Sequence, residues 1–115
     1  MTLQGNDWLA LTEESTLEPE IPICDPHHHF WENRPEPAAY QRYLLPELAG
    51  DINSGHNVRS TVFVEARTSY RAGGPEEMRS VGEVEFVDAL AVAGANGQYG
   101  PGKPAAAIIG RADLK

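Results

Sequence analysis

Hydrophobic and polar positions alternate in three short stretches of the chain, and longer segments with a different spacing separate them. Side chains of a β-strand point alternately to opposite faces, so these stretches predict strands. They cover residues 21–29, 58–66 and 105–110. The second stretch becomes apolar on both faces towards its end, a pattern typical of a parallel strand that is covered on both sides.

The segments between the predicted strands carry apolar residues at every third or fourth position, as on one face of a helix. These residues are Leu48 and Ile52 within 46–54, and Val84, Val87, Leu90 and Ala91 within 83–94. The chain therefore alternates strand, helix, strand, helix, strand. This order implies parallel pairing through right-handed crossovers, so the predicted fold class is α/β.

A run of histidines ends the first predicted strand. With period-two alternation, Asp25, His27 and His29 share one face of that strand. Neutral imidazole is a common metal ligand, and a ligating histidine usually needs an acceptor for its other ring nitrogen. The pattern indicates either half of a metal site or an acid/base pair. The plainer interpretation is a polar turn after a strand.

The position of the histidines in the predicted fold favours a functional site over a polar turn. Parallel α/β folds bind ligands at the carboxyl ends of their strands. Glu65 closes the second predicted strand, and Arg111 and Asp113 follow the third. Polar groups therefore gather at the end where His27 and His29 lie. Cys24, on the opposite strand face, is predicted to be a small buried packing residue.

Composition and net charge limit the binding partners and the cellular compartment that we expect for this chain. The chain has 115 residues, 41% of them hydrophobic, which suits one globular domain. Its net charge of -8 and its scattered arginines disfavour nucleic acid and anionic membranes. The single cysteine excludes an internal disulfide, and no signal peptide or membrane-length apolar run is present. We expect a cytoplasmic protein with an acidic extension, residues 1–20, before the α/β part, residues 21–115.

The first strand also resembles a known family. It ends in the motif Asp25-x-His27-x-His29-Phe30-Trp31, which is similar to the opening of an amidohydrolase-superfamily barrel. The closest resemblance is to the amidohydrolase 2 group of TIM-barrel hydrolases, which includes sugar-lactonase-like enzymes. Further similar phrases follow in order at residues 43–48, 58–66, 83–87 and 108–114. The resemblance implies the N-terminal β-α-β-α-β portion of a (β/α)₈ barrel.

The resemblance also implies roles for individual residues. His27 and His29 would be metal ligands, with Asp25 as the carboxylate that supports them; Trp31, Tyr43 and Glu65 are weaker candidates for substrate contact. A divalent metal, zinc or manganese, would activate water for attack on a lactone, ester or amide carbonyl. In other members of the group the histidine pair binds or polarises the substrate without a tightly held metal.

Length sets this chain apart from the family. A (β/α)₈ barrel has about 250 residues, and the last predicted strand here ends at residue 110. The remaining metal ligands and the carboxylate base of the family have no counterpart. Open sheet edges would favour self-association or pairing with another chain. We expect this chain to be the N-terminal segment of a hydrolase and to be inactive alone. The complete enzyme would act on a small-molecule substrate.

Other hypotheses remain open at this point. The chain could be a segment of a related decarboxylase, or a non-catalytic fragment that binds metal or a partner chain. A stand-alone α/β binding domain is a further alternative, and it would require residues 1–20 to cover the sheet edges.

Overall fold

Three parallel strands form the centre of the fold in a computed structural model, which describes residues 7–35, 37 and 41–114. The helices are α1 (Asp7–Ala10), α2 (Leu45–Ile52) and α3 (Val81–Gly94), with one 3₁₀ turn at Glu76–Met78. The strands are β1 (Pro22–His28), β2 (Asn57–Val64) and β3 (Lys103–Ile109). The boundaries of α2, α3 and the strands differ from those predicted by no more than two residues.

The sheet confirms the α/β class. Its strand order is β1-β2-β3, and both neighbouring pairs are parallel. Each crossover contains one of the longer helices, α2 between β1 and β2 and α3 between β2 and β3. The carboxyl ends of the three strands therefore lie at the same edge of the sheet.

One core joins the two crossover helices to the sheet. Its buried apolar residues are Phe30, Leu45, Leu48, Ile52, Phe63, Val87 and Ala105. Because α2 and α3 both contribute to this one cluster, they lie on the same face of the sheet. Successive right-handed crossovers between neighbouring strands place their helices this way.

The opposite face of the sheet lacks such a cover within the described residues. There Val62 pairs with Ala107 and Val64 pairs with Ile109. Val62 and Val64 are half-buried, and Ile109 is 52% exposed. The prediction that the second strand is covered on both faces is therefore wrong for this chain, because both helices pack on one side.

Strand β1 is irregular, and this corrects a second prediction. Its pairing with β2 shifts register between Ile23 and Cys24 and again between Asp25 and His28. Cys24 is exposed, not buried as predicted. β1 forms one edge of the sheet, and the register shifts interrupt the simple alternation on which the prediction rested.

A hydroxyl group links all three strands inside the core. Thr61 of β2 is fully buried, and its Oγ1 accepts a hydrogen bond from the backbone N–H of Ala105 at 2.8 Å. The same oxygen lies 2.8 Å from Nε2 of His28. Because Oγ1 already accepts from Ala105, its own proton is available to His28. Ala105 has a positive φ of 48°, so the β3 backbone departs from the regular ladder where its amide meets this hydroxyl.

In the part of the chain that the structure describes, no helix is long and apolar enough to cross a membrane.

Candidate functional site

A pocket of about 300 Å³ lies at the carboxyl end of β1. Seven side chains line it: Asp25, His27, His28, His29, Trp31, Arg34 and Tyr43. Five of them were predicted as site residues from the sequence. Glu65, the sixth predicted site residue, is not among the described residues that line this pocket.

His29 is oriented by the neighbouring strand. Its Nδ1 lies 2.7 Å from the backbone carbonyl oxygen of Val64, the last residue of β2. A carbonyl oxygen can only accept, so Nδ1 carries the proton and Nε2 of the neutral ring keeps its lone pair. A ligating histidine needs this arrangement, in which the second ring nitrogen is fixed by an acceptor.

His27 lies beside His29. The two ring centroids are 5.1 Å apart, and the ring planes meet at 89°. His27 is exposed and His29 half-buried, so both rings reach the solvent side of the pocket. The structure therefore brings the two predicted imidazoles together.

Asp25 supports the backbone of the motif. Its Oδ1 accepts a hydrogen bond from the backbone N–H of His27 at 3.2 Å. The sequence predicted a carboxylate that supports the histidines. The observed hydrogen bond joins it to the main chain of His27, and it thereby holds the irregular part of β1 that carries the first imidazole.

His28 lies on the buried side of β1 and was not singled out from the sequence. It is 8% exposed, and its ring meets Phe30 edge-on at 4.9 Å and Phe63 at 5.9 Å between centroids. Burial lowers the pKa of His28, although the neighbouring backbone of His29 and the charge of Asp25 oppose this shift. The ring is therefore neutral near pH 7, and its Nε2 lies 2.8 Å from the hydroxyl oxygen of Thr61.

Trp31 and Tyr43 form one wall of the pocket through their backbones. The N–H of Trp31 donates to the carbonyl of Tyr43 at 2.9 Å, and the reverse bond is 2.8 Å. The hydroxyl of Tyr43 donates to Asp51 of α2 at 2.5 Å. Burial, together with this hydrogen bond, raises the pKa of Tyr43 far above its usual value. Both residues lie where predicted, but the Tyr43 hydroxyl is engaged by α2.

Arg34 is a pocket residue that the sequence reasoning missed. The centre of its guanidinium lies 5.0 Å from the centroid of the Trp31 ring, a cation–π contact. Its backbone N–H donates to the carbonyl of Gln41 at 2.6 Å. Proline-rich loops show no periodicity, so only the proximity of Arg34 to the histidine motif could have indicated it.

Glu65 follows Val64, whose carbonyl oxygen holds His29, but it is not among the described residues that line the histidine pocket. It is half-buried, and its Oε2 is buried without a hydrogen-bond partner among the described residues. Its backbone N–H donates to Ile109 of β3 at 2.9 Å. The role of Glu65 in substrate contact therefore stays a prediction.

Glu83 was interpreted only as the start of an amphipathic helix. The structure buries it to 1% exposure, and its Oε2 accepts the backbone N–H groups of Ala66 at 2.9 Å and Thr68 at 3.0 Å. The carboxylate thus fixes the loop that follows β2 at the carboxyl end of the sheet.

The histidine pair fits two positions of a metal site. Two neutral imidazoles are typical zinc ligands, and the Nδ1 bond of His29 prepares one of them. Within the described ranges, no group of three or more His, Cys, Asp or Glu side chains is placed to hold a metal ion. The arrangement is therefore a pair of ligands and not a closed coordination shell.

No family model matches the chain, and no curated protein or solved structure matches it.

Proposed function

We propose that this chain carries the first-strand part of the active site of an amidohydrolase-type hydrolase, on the first three strands of a TIM barrel. The main support is the hydrogen bond from Nδ1 of His29 to Val64, which leaves Nε2 free beside His27. The pocket lies at the carboxyl end of a parallel sheet, where such folds bind ligands.

The proposed chemistry is the addition of water to the carbonyl carbon of a lactone, ester or amide. His27 and His29 would hold a divalent metal, zinc or manganese, which when bound lowers the pKa of water and polarises the carbonyl. Without a metal, Nε2 of neutral His29 can accept a proton from the attacking water. Asp25 fixes the backbone of His27, and Trp31 lines the pocket beside the two imidazoles.

A second candidate function is binding without catalysis, of a metal or of a partner chain. It is favoured by the lack of a third metal donor among the described residues and by the exposed apolar face at Ile109. A decarboxylase with the same first strand is a variant of the enzyme hypothesis.

The test uses the purified chain and the longest product that its gene encodes. Each is titrated with zinc and manganese, then assayed on a panel of lactones, esters, amides and unsaturated acids. We expect binding and any turnover to disappear in His27→Ala, whereas His56→Ala, an exposed histidine outside the pocket, behaves as wild type.

Turnover that survives His27→Ala at a near-normal rate would contradict the proposed site. Metal binding that needs both imidazoles, with no turnover of any substrate in either protein, would instead support the second candidate. Release of carbon dioxide from an acid substrate would favour the decarboxylase variant.

A further inference from the structure

The backbone at Arg34, and at Trp31 three residues before it, is hydrogen-bonded to residues 41 and 43. The hydrogen bonds between Trp31 and Tyr43 fix one pair of positions, and the bond from Arg34 to Gln41 fixes a second. The guanidinium itself lies over the Trp31 ring, with 5.0 Å between its central carbon and the ring centroid. A long and flexible side chain is thereby kept at the wall of the pocket.

The charge of Arg34 is uncompensated among the described residues. Two other arginines form ion pairs, Arg42 with Glu47 and Arg71 with Glu85, each at 2.6 Å. No described carboxylate pairs with Arg34. The guanidinium has five N–H donors in a rigid fork, and stacking on an indole leaves its edge free.

Asp25, the other charged group of the pocket, does not cancel the preference of the Arg34 guanidinium for an anion. Asp25 accepts the N–H of His27 through Oδ1, so part of its acceptor capacity is already used. The chain as a whole carries a net charge of -8, so its overall field does not attract anions. Any affinity of the pocket for an anion must come from a local donor, and Arg34 is the cationic side chain in its lining.

We propose that Arg34 is the carboxylate anchor of this pocket and that the substrate is a small organic acid. The planar fork would bind the carboxylate in a bidentate manner, while the carbonyl under attack faces His27 and His29. A volume of about 300 Å³ suits such a small molecule. This inference rests on the proposed hydrolase function. Trp31 is a positioning residue, because it acts through Arg34.

The test compares two ligands that differ only in charge: a γ-butyrolactone that bears a carboxylate and the same lactone with a neutral primary amide. The chain has two tryptophans, so Trp8→Phe leaves Trp31 as the fluorescent reporter in the pocket wall. We expect the acid to bind about tenfold more tightly than the amide, or about 1.4 kcal/mol. Arg34→Gln should remove this preference, and Arg34→Lys should retain part of it.

The matched control is Arg59→Gln. Arg59 is an exposed arginine of β2 that does not line the pocket, so the preference for the acid should stay unchanged. Circular dichroism of both variants checks that the fold is retained, as expected for exposed positions.

Several outcomes would contradict the proposal that Arg34 is the carboxylate anchor. These are equal binding of the acid and the amide, a preference that survives Arg34→Gln, and failure of the acid to bind at millimolar concentration. Hydrolysis that depends on His27 but proceeds equally on the acid and the amide would refute the anchor and keep the hydrolase. A preference that depends on Arg34, without hydrolysis, would keep the anchor and refute the hydrolase.

Discussion

Among single residues, His28 shows how one strand can serve two purposes. Its neighbours His27 and His29 reach the solvent side of the pocket. The ring of His28 also lines the pocket, but it is only 8% exposed and meets Phe30 and Phe63 edge-on in the core. Nδ1 of His28 is buried without a partner among the described residues. A charged imidazole would be costly in these surroundings, because desolvation disfavours the ionised form.

The lowered pKa of His28 predicts that acid destabilises the fold. The unfolded chain takes up the proton near pH 6.5, whereas the folded chain resists it. The folded protein therefore binds fewer protons, and its stability is complete above that pH and falls below it. We expect a slope of at most about 1.4 kcal/mol per pH unit.

Urea unfolding between pH 7.5 and 5.5 measures this slope. The exposed His56 supplies the control, since His56→Gln should leave the slope unchanged while His28→Gln flattens it. A wild-type protein whose midpoint stays constant over this range would contradict the assignment.

The contacts of the Thr61 hydroxyl predict that removing this one group lowers the stability of the fold considerably. Thr61→Val keeps the shape of the side chain but leaves the N–H of Ala105 and Nε2 of His28 without their partner. An unsatisfied buried polar group costs about 1–3 kcal/mol. Ser60 on the same strand is half-buried, so Ser60→Ala serves as a control, and its free energy of unfolding should change by no more than about 0.5 kcal/mol. Equal stability of the Val variant and wild type would refute the role of this hydroxyl.

Among the secondary-structure elements, α3 does more than cover the sheet. Its first turn supplies Glu83, and that carboxylate accepts the amides of Ala66 and Thr68 beyond the end of β2. A helix thereby sets the path of a loop at the carboxyl end of the sheet. Loops that begin at strand ends carry most functional groups in α/β folds, so their backbone must be held in place.

Glu83→Leu should therefore destabilise the protein by about 2 kcal/mol or more, because two loop amides lose their acceptor. Glu85→Leu, two residues further along α3, removes only an exposed ion pair with Arg71 and should cost at most about 1 kcal/mol. Hydrogen exchange adds a local measurement: the amides of Ala66 and Thr68 should exchange faster in the first variant and normally in the second. Unchanged exchange there would contradict the role of Glu83.

The elements could be predicted because each has a regular period, whereas several site residues could not. Apolar residues at a period of two predicted the strands, and apolar residues at a period of three to four predicted α2 and α3. The alternation of side chains in the first strand predicted that His27 and His29 lie together. The prediction failed at Cys24, where register shifts break the period. Arg34 was missed because it lies in a proline-rich loop without periodicity, and Glu83 because its partners Ala66 and Thr68 lie 17 and 15 residues away in sequence.

At the scale of the whole molecule, the sheet is covered by helices on one face and open on the other. Val62, Val64 and Ile109 lie on the open face, and β1 and β3 are edge strands whose outer backbone groups have no strand partner within the described residues. Exposed apolar patches and free sheet edges both favour contact with other chains.

We therefore expect the purified chain to self-associate as its concentration rises. Ile109→Lys places a charge on the open face and should shift the equilibrium towards monomer in analytical ultracentrifugation. Leu114→Lys, at a residue that is 92% exposed and lies beyond β3, tests whether added charge alone has this effect. A wild-type chain that stays monomeric at high micromolar concentration would contradict this expectation.

The bond between His29 and Val64 has a thermodynamic consequence that extends beyond the orientation of one ring. The free Nε2 exists in this position only while β1 and β2 are paired, because the acceptor of Nδ1 belongs to the second strand. Whatever binds at Nε2 therefore binds the paired state in preference to the separated one, and by linkage it must stabilise the pairing in return. Zinc should accordingly slow amide exchange in β1 and β2, so that occupancy of the pocket can be measured from the strands beneath it.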